Sequence, residues 1–393
     1  MIIFGNRAHY SAIGGVENSI RNLLLTASKM QLPAISVCRN PIKNEALDAS
    51  NVGLPENIQQ INYDDDTLFS LPKRLLSLRR GGVALPQLYR RLHVQYPHAI
   101  VIARHHSHVL AARTAGFENI RYLLPSLIKN QLSAEMKNAD YRHKLRIFVH
   151  LIIDSYLQNR AILNSKRFVF SYSMILQIRQ ILPRRYHSIP IEIVKPGIDA
   201  NRFKVAVKKD KDQLRRQLGL PSAQNLFLFV GRFVQAKGID FLVAAIAQMP
   251  SNCSAILVGE GEQEETIKRK ISALNLENRV ILAGRTSHVE DFYRACDVFV
   301  MSSTYEPLGQ TILEAAACGM RVVAFSKMTG VVTATHELDL DYTIDYAKTL
   351  SSKGLSEAMA VALQKTSRVH AKKNSISCQR RYSWSFLLEQ LRS

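Results

Sequence analysis

The sequence has no long hydrophobic run, which argues against a membrane-spanning chain. The apolar run near the middle, Ile147 to Ile153, is interrupted by His150 and is far shorter than the roughly 20 residues that a membrane helix needs. The first residues, Met1 to Phe4, form a short apolar strand pattern and lack the charged leader of a signal peptide. We therefore expect a cytoplasmic protein.

Closely spaced cysteines are also lacking. The five cysteines lie far apart along the chain, at Cys38, Cys253, Cys296, Cys318 and Cys378. This spacing argues against a zinc site and against a disulfide framework, and it favours a reducing compartment. The run Asp64-Asp65-Asp66 has the spacing of a divalent-cation motif, but an acidic tripeptide after a strand is more typical of a solvated turn. We expect no metal.

Acidic residues are missing from Thr67 to Phe117, in a chain whose net charge is +20. The electrostatic field of so basic a protein attracts anionic partners. Within this region, the leucines and basic residues between Leu71 and Arg80 could form a short amphipathic element that binds an anionic membrane surface. A solvated basic face explains the same pattern, and both interpretations stay open.

Strand and helix patterns alternate in two successive series, which predicts an α/β protein with parallel sheets. The first series begins at Ile2 to Phe4, and the second begins at Asn225 to Val230. Pro196 and Gly197 interrupt the pattern between them. We expect a first domain over residues 1–190, a second over 191–375, and a helix over 376–393 that returns to the first domain.

The stretch from Ser302 to Gly319 contains the most informative pattern. It follows a buried-strand pattern and opens a helix, with Glu306 before the helix start and Glu314 inside the helix. A helix start leaves backbone N–H groups unpaired, here at Leu308, Gly309 and Gln310, and these can face an anion or sugar oxygens. Carboxylates can accept two neighbouring sugar hydroxyls. Alternatively, the glutamates only complement the helix dipole.

Two cations flank a second turn in the same half of the chain. Gly231-Arg232 follows the strand pattern Asn225 to Val230, and Lys237-Gly238 precedes a helix pattern. Arginine presents a planar fork to phosphate oxygens and lysine a movable point charge, so that the pair suits a diphosphate. Taken alone, such a turn is more often simply solvated.

Together, these motifs resemble those of the retaining glycosyltransferases of family four. Glu306 and Glu314 match the E-x7-E motif of that family, and the segment from Gly231 to Gly238 matches its G-R-x4-K-G signature. Gly14-Gly15-Val16-Glu17 is similar to its G-G-x-E segment. The resemblance implies the GT-B fold, which has two Rossmann-like domains that face each other across a cleft and binds the sugar nucleotide on the second domain.

The resemblance also implies residue roles. Arg232 and Lys237 would stabilise the departing diphosphate, Glu314 would hold the ribose hydroxyls, and Glu306 would hold the donor sugar. The remaining donor contacts would come from backbone at Leu308, Gly309, Gln310, Gly231, Gly259, Gly14 and Gly15.

One histidine after the strand pattern Ala99 to Ala103 should lie near the donor sugar, and His105 and His106 both remain possible. A zinc site built from His105, His106 and His108 lacks a fourth ligand. One departure weakens the match, because the segment after Phe325 retains only Gly330 of the glycine pair that the family often has. Arg321, just before the last strand pattern, is expected to face solvent and to have no role.

We therefore expect retaining transfer of a hexosyl group from a nucleotide diphosphate sugar to an anionic or lipid-linked glycan, in envelope polysaccharide or lipopolysaccharide synthesis. The expected partners are the donor, the acceptor and the inner face of the cell membrane; no cofactor and no nucleic acid are expected. The alternatives are an epimerase or glucan synthase of the same fold and a non-catalytic polyanion-binding protein, which would show affinity for polynucleotides with a steep salt dependence.

Overall fold

The computed structural model describes residues 1–9, 15–41, 53–64, 84–129, 141–222, 224–306, 308–340 and 344–393. The chain forms two compact units. The first unit contains Met1–Val194 together with Trp384–Ser393, and the second contains Lys195–Ser383. The division after Val194 lies close to the predicted end of the first domain at residue 190.

The first unit has a parallel sheet with the strand order β3-β2-β1-β4-β5-β6-β7. Its strands are β1 (Ile2–Gly5), β2 (Ala34–Arg39), β3 (Ile58–Tyr63), β4 (Ile100–Ala103), β5 (Ile120–Leu123), β6 (Lys166–Val169) and β7 (Glu192–Ile193). The helices between them are α1 (Gly15–Lys29), α2 (Ala84–Gln95), α3 (His106–Ala115), α4 (Tyr141–Leu163) and α5 (Tyr172–Ile181).

The second unit repeats this plan, with the strand order β10-β9-β8-β11-β13-β15. Its strands are β8 (Asn225–Val230), β9 (Cys253–Val258), β10 (Val280–Gly284), β11 (Val298–Met301), β13 (Arg321–Phe325) and β15 (Ile344–Ala347); a separate pair is formed by β12 (Tyr305–Glu306) and β14 (Val332–Thr333). The helices are α6 (Lys208–Gln217), α7 (Ile239–Gln248), α8 (Glu264–Ala273), α9 (Val289–Ala295), α10 (Gln310–Ala317), α11 (Ser352–Gln364) and α12 (Arg368–Arg381).

Both sheets are buried on their two faces, as their nearly continuous apolar strands require. In the first unit, α1 and the last helix of the chain, α13 (Trp384–Arg392), cover one face through Leu23 and Leu388. Tyr89, Val109 and Ile178 of α2, α3 and α5 cover the other face. In the second unit, α7, α8 and α11 cover one face, and α9, α10 and α12 the other.

The strand orders place one topological switch point in each sheet. In the first unit the chain reverses its direction of travel across the sheet between β1 and β4, and in the second between β8 and β11. Ligands of open α/β sheets bind outside the carboxyl ends of the strands at such points. A ligand-binding site is therefore expected at the loops that follow β4, β8 and β11.

The carboxyl end of the chain differs from the single helix expected over residues 376–393. Helix α12 ends at Arg381 and α13 begins at Trp384. The break between them forms a bridge from Ser383 to Ile198, and the backbone N–H of Ile198 donates to the Tyr382 carbonyl at 3.3 Å. The second unit therefore extends to Ser383, beyond the predicted limit of 375, and only α13 belongs to the first unit.

Arg321 does not face solvent, and this prediction was wrong. The side chain is buried in β13 and forms an ion pair with the buried carboxylate of Asp345 in β15, with 3.0 Å between Arg321 Nε and Asp345 Oδ2. Lys365 Nζ approaches the other oxygen of Asp345 at 2.6 Å. The strand pattern could not reveal Asp345 because it lies 24 residues further along the chain.

Candidate active site

The stretch between β11 and α10 carries the first candidate glutamate. Its backbone is fixed by the pairing of β12 with β14, since the backbone N–H of Ala334 donates to the Glu306 carbonyl at 2.8 Å. Gly309 then begins the helix in the left-handed conformation, with φ of 77°. A side chain is disfavoured in that conformation, which explains the glycine of the motif. Pro307 lies outside the described residues.

Glu306 is held at its position by a cation and by the helix start. Its carboxylate forms an ion pair with the Lys237 ammonium, and Glu306 Oε1 accepts a hydrogen bond from the Gly309 N–H at 3.3 Å. Burial alone would raise the pKa of this carboxyl, but Lys237 and the backbone N–H groups of Gly309 and Leu308 lower it below its ordinary value. Glu306 is therefore ionised at neutral pH, and it binds N–H groups that were expected to face a ligand.

Lys237 is placed by a short 3-10 turn, Gln235–Lys237, that packs against the end of β11. The Ser302 hydroxyl donates to the Lys237 carbonyl at 2.9 Å. Gly238 has φ of 56°, and a Cβ atom there would lie 2.3 Å from the Ser302 carbonyl oxygen. The glycine after Lys237 thus permits a close backbone contact that brings the ammonium to Glu306.

Gly259, predicted to contact the donor through its backbone, has a structural requirement of its own. Its φ is 139°, and a Cβ atom there would lie 2.0 Å from the carbonyl oxygen of Gly231. The loops after β8 and β9 are therefore in direct backbone contact. Sequence reasoning assigned both glycines to the ligand, but their packing against each other already excludes a side chain at Gly259.

Arg232 differs from Lys237 because it has no partner among the residues that the structure describes. It is exposed, and no side chain or carbonyl in the described part of the chain forms a hydrogen bond or an ion pair with it. Gln310, at the start of α10, donates through its side-chain amide to the Gly197 carbonyl at 3.1 Å. The Gln310 side chain is thus engaged within the protein, whereas no group in the described part of the chain binds the Arg232 guanidinium, which can bind an anion.

Glu314, the second motif glutamate, is buried in α10 and has a different environment. Its Oε2 accepts a hydrogen bond from the Tyr293 hydroxyl at 2.9 Å. Burial raises the pKa of this carboxyl to about 7, although the hydrogen bond from Tyr293 and the charge of Arg202 act in the opposite direction. Arg202 itself is paired with Glu290, with 2.7 Å between Arg202 Nε and Glu290 Oε2.

Sequence reasoning missed Tyr293 and Arg202. No local signal identifies them, since Tyr293 reads as a core position of α9 and Arg202 lies in the segment that leads into α6. Only the packing of α9 against α10 brings the Tyr293 hydroxyl to Glu314.

In the first unit, the three histidines after β4 differ in their hydrogen-bonding partners. His105 caps α3, accepting the backbone N–H of Ser107 at its Nδ1. His106 is buried, with its Nε2 4.0 Å from Asp154 Oδ1, and its ring lies against the His105 ring with 4.1 Å between centroids.

His108 is buried between two tyrosines. The Tyr63 and Tyr89 hydroxyls lie 3.2 Å and 3.0 Å from its ring nitrogens. Burial, with the charge of His106 second, lowers the pKa of His108 to about 3, which makes it a neutral core residue.

Several predictions fall partly or wholly outside the described residues. Gly14 does, as do Asp65, Asp66 and the basic amphipathic element between Leu71 and Arg80. Gly15 is exposed at the start of α1, and a Cβ atom there would meet nothing within 4 Å.

The described residues contain no group of three His, Cys, Asp or Glu side chains placed to hold a metal ion. In the same part of the chain, no helix is both long enough and apolar enough to cross a membrane.

A family model matches much of the second unit. Residues 210–365 match the model described as Glycosyl transferases group 1. This segment of the chain is therefore similar to that glycosyltransferase family. The match covers β8 to α11, which carry Arg232, Lys237, Glu306 and Glu314.

Two curated relatives show the extent of the similarity. A D-inositol 3-phosphate glycosyltransferase from Xylanimonas cellulosilytica is 35% identical over 143 residues, which cover 34% of each chain. The lipopolysaccharide core biosynthesis mannosyltransferase LpsB from Rhizobium meliloti is 31% identical over 205 residues, 47% of this chain and 57% of that protein. The chain thus spans between about a third and just over half of their lengths.

Solved structures are similar over the whole chain. HepE from Anabaena, solved in complex with UDP and glucose, has a TM-score of 0.71 at 19% identity and is covered to 98%, while this chain is covered to 100%. At this identity the likeness concerns the fold. The expected fold class, with two Rossmann-like α/β domains of the GT-B type, is confirmed.

Proposed function

We propose that this protein is a retaining hexosyltransferase that uses a nucleotide diphosphate sugar and acts on an anionic or lipid-linked glycan in envelope polysaccharide or lipopolysaccharide synthesis. The observation that supports it most is the group formed by Lys237, Glu306 and the start of α10, with the unpaired Arg232 on the neighbouring loop. Ionised carboxylate, ammonium and guanidinium are the groups that sugar hydroxyls and a diphosphate require.

In the proposed reaction, the bond between the anomeric carbon and the diphosphate oxygen breaks. The acceptor hydroxyl forms the new bond on the same face of the sugar, and its proton passes to the departing diphosphate. Arg232 and Lys237 would stabilise the negative charge that develops on the leaving group, which is electrostatic stabilisation by preorganised cations. Glu306 would accept hydroxyls of the sugar, with His105 or His106 as the predicted further contact.

Glu314 is proposed to accept the ribose hydroxyls. Its pKa of about 7 in the ligand-free protein means that a large fraction is protonated at neutral pH. The ionised form offers only acceptors, and two hydroxyl donors would stabilise it. Nucleotide binding should therefore lower this pKa and release protons.

The acceptor is proposed to bind the first unit and to be anionic. The net charge of +20 supports this, because a strongly basic surface attracts anions. The names of the two relatives, one with inositol 3-phosphate and the other with lipopolysaccharide core, point to the same acceptor class. Peripheral binding to the inner face of the membrane is part of this proposal.

Thermal melting in the presence of uridine, guanosine and adenosine diphosphates, and of their sugars, tests the donor. A ligand that binds only the folded state raises its stability, and we expect one nucleotide series to raise Tm while the other two do not. The protein should then release that nucleoside diphosphate from its sugar in the presence of an acceptor glycan. Product formed without a separate acceptor would instead indicate an epimerase. Absence of any nucleotide effect, together with salt-sensitive polynucleotide binding, would contradict the proposal.

A further inference from the structure

Arg104 is a buried charge in the first unit that has no hydrogen-bonding partner in the part of the chain that the structure describes. It directly follows β4 and is only 2% exposed. Its Nε and Nη1 atoms are buried without an acceptor. Arg121, in the neighbouring β5, is also buried but donates through Nη2 to the Arg392 carbonyl at 2.9 Å.

The Arg104 side chain extends across the carboxyl ends of the neighbouring strands. Its Cζ atom lies 5.4 Å from the centre of the Phe170 ring, which follows β6, and it interacts electrostatically with Tyr122 of β5. The charge of the Glu17 carboxylate in α1 acts to raise the pKa of Arg104, but Glu17 forms no ion pair with Arg104. Burial lowers the pKa of Arg104 to about 10, so that the guanidinium remains charged at neutral pH.

A buried charge without a partner is unfavourable for the folded protein. The Phe170 ring and the field of Glu17 reduce this cost, but neither provides an oxygen to the two buried N–H groups. A bound oxyanion would provide it, because the guanidinium fork matches phosphate and carboxylate oxygens. The position also fits, since Arg104 follows one of the two strands at the switch point of the sheet.

We propose that Arg104 forms an oxyanion-binding subsite at the carboxyl ends of β4, β5 and β6, and that this subsite takes the phosphate or carboxylate group of the acceptor. Only the identification of the ligand as the acceptor rests on the proposed function; the subsite itself does not.

The test is thermal melting of the full chain in inorganic phosphate and, separately, in acetate, at constant ionic strength. Melting is followed by fluorescence of Trp384, the only tryptophan, which is buried in the first unit. We expect one anion, at about ten times its Kd, to raise Tm by about 2–5 °C. The anion with the larger shift identifies the acidic group as phosphate or carboxylate.

Arg104→Met should lose this shift and, in the absence of anions, melt no lower than the wild type, because it removes an unpaired buried charge. Arg121→Met is the matched control; it should melt lower, since it removes the bond to Arg392, yet keep the full shift. Arg232→Ala should also keep the full Tm shift. This result would exclude the explanation that the shift comes from phosphate bound by the donor-binding residues.

No shift in the wild type with either anion, or a full shift in Arg104→Met, would overturn the subsite. If Arg104→Met does not fold, Arg104→Lys is the variant that tests the subsite, because lysine keeps the positive charge but lacks the planar guanidinium fork. Loss of most of the shift in that variant supports the proposal, and a full shift overturns it. Nucleoside diphosphate binding is measured separately: its absence would contradict the proposed function, whereas normal binding without an anion shift would contradict only the subsite.

Discussion

The two units share a topology but use charged residues differently at their strand ends. In the second unit, Lys237 and Glu306 form a partly buried ion pair, and the backbone N–H of Gly309 donates to the remaining carboxylate oxygen. In the first unit, Arg104 is buried without such a partner among the described residues, and His108 is buried in its neutral form. The same fold therefore presents a preformed ion pair in one unit and an uncompensated cation in the other.

The comparison extends to the response to pH. Burial raises the pKa of Glu314 in the second unit to about 7 and lowers that of His108 in the first unit to about 3. Both shifts favour the neutral form, but one group is an acid and the other a base. Stability of the two units should consequently change in opposite directions as pH rises.

Removal of Lys237 should have the largest effect. With the donor identified, Lys237→Ala should slow nucleoside diphosphate release by on the order of 10²–10³, because a preorganised cation is lost from the leaving group and Glu306 loses its partner. Single-turnover kinetics provide the measurement. The control is Lys268→Ala, whose exposed side chain on α8 pairs only with Glu264 and Glu265 and should leave the rate unchanged. A loss below tenfold would contradict the role of the ion pair.

Glu314→Gln should remove a pH dependence of the second unit. Between the ordinary value of 4.5 and the folded pKa of about 7, the folded state binds more protons at Glu314 than the unfolded chain does. Its stabilising contribution is complete below pH 4.5 and is lost as pH rises through about 7, by roughly 1–3 kcal/mol.

Hydrogen exchange of α10 and β11 at pH 5 and pH 8 measures this contribution, with the exposed Glu357→Gln as control. We expect the wild type to lose protection relative to Glu314→Gln at the higher pH. Equal pH profiles for the two proteins would mean that Glu314 is already ionised.

The smallest expected effect concerns His108 in the first unit. Its folded pKa of about 3 lies below the ordinary value of 6.5, and so the unfolded chain binds more protons in the acid range. The contribution of neutral His108 is complete above pH 6.5 and declines as pH falls, by about 1–2 kcal/mol at pH 5.

His108→Gln should flatten the stability profile between pH 7 and pH 5, as measured by urea unfolding with Trp384 fluorescence. His98 is exposed, and His98→Gln should behave as the wild type does. If His108→Gln keeps the acid-dependent loss, other groups of the first unit cause it.

Local patterns predicted much of the fold because strand and helix periodicity is carried by neighbouring residues. The strand over Asn225–Val230 has the predicted bounds. The buried-strand pattern before Ser302 forms the strand Val298–Met301, and the helix pattern after Gly238 forms the helix Ile239–Gln248. The break between α12 and α13, at Tyr382 and Ser383, was missed because the apolar residues on its two sides continue one helical spacing. Long-range pairing at Ile198 decides that break.

For the candidate site, the sequence alone determined the order and spacing of Arg232, Lys237, Glu306 and Glu314, and through them the resemblance to a glycosyltransferase family. Spacing is a property of the chain, and a motif can be recognised before it folds. The environment of each group was decided only by the tertiary structure, because burial and hydrogen bonding depend on residues that are distant in sequence. Glu306 meets Lys237 across 69 residues, and Glu314 meets Tyr293 across 21. Burial raises the pKa of Glu314 despite the hydrogen bond from Tyr293, whereas in Glu306 the effect of burial is outweighed by Lys237 and the backbone N–H groups, although both are glutamates of one motif.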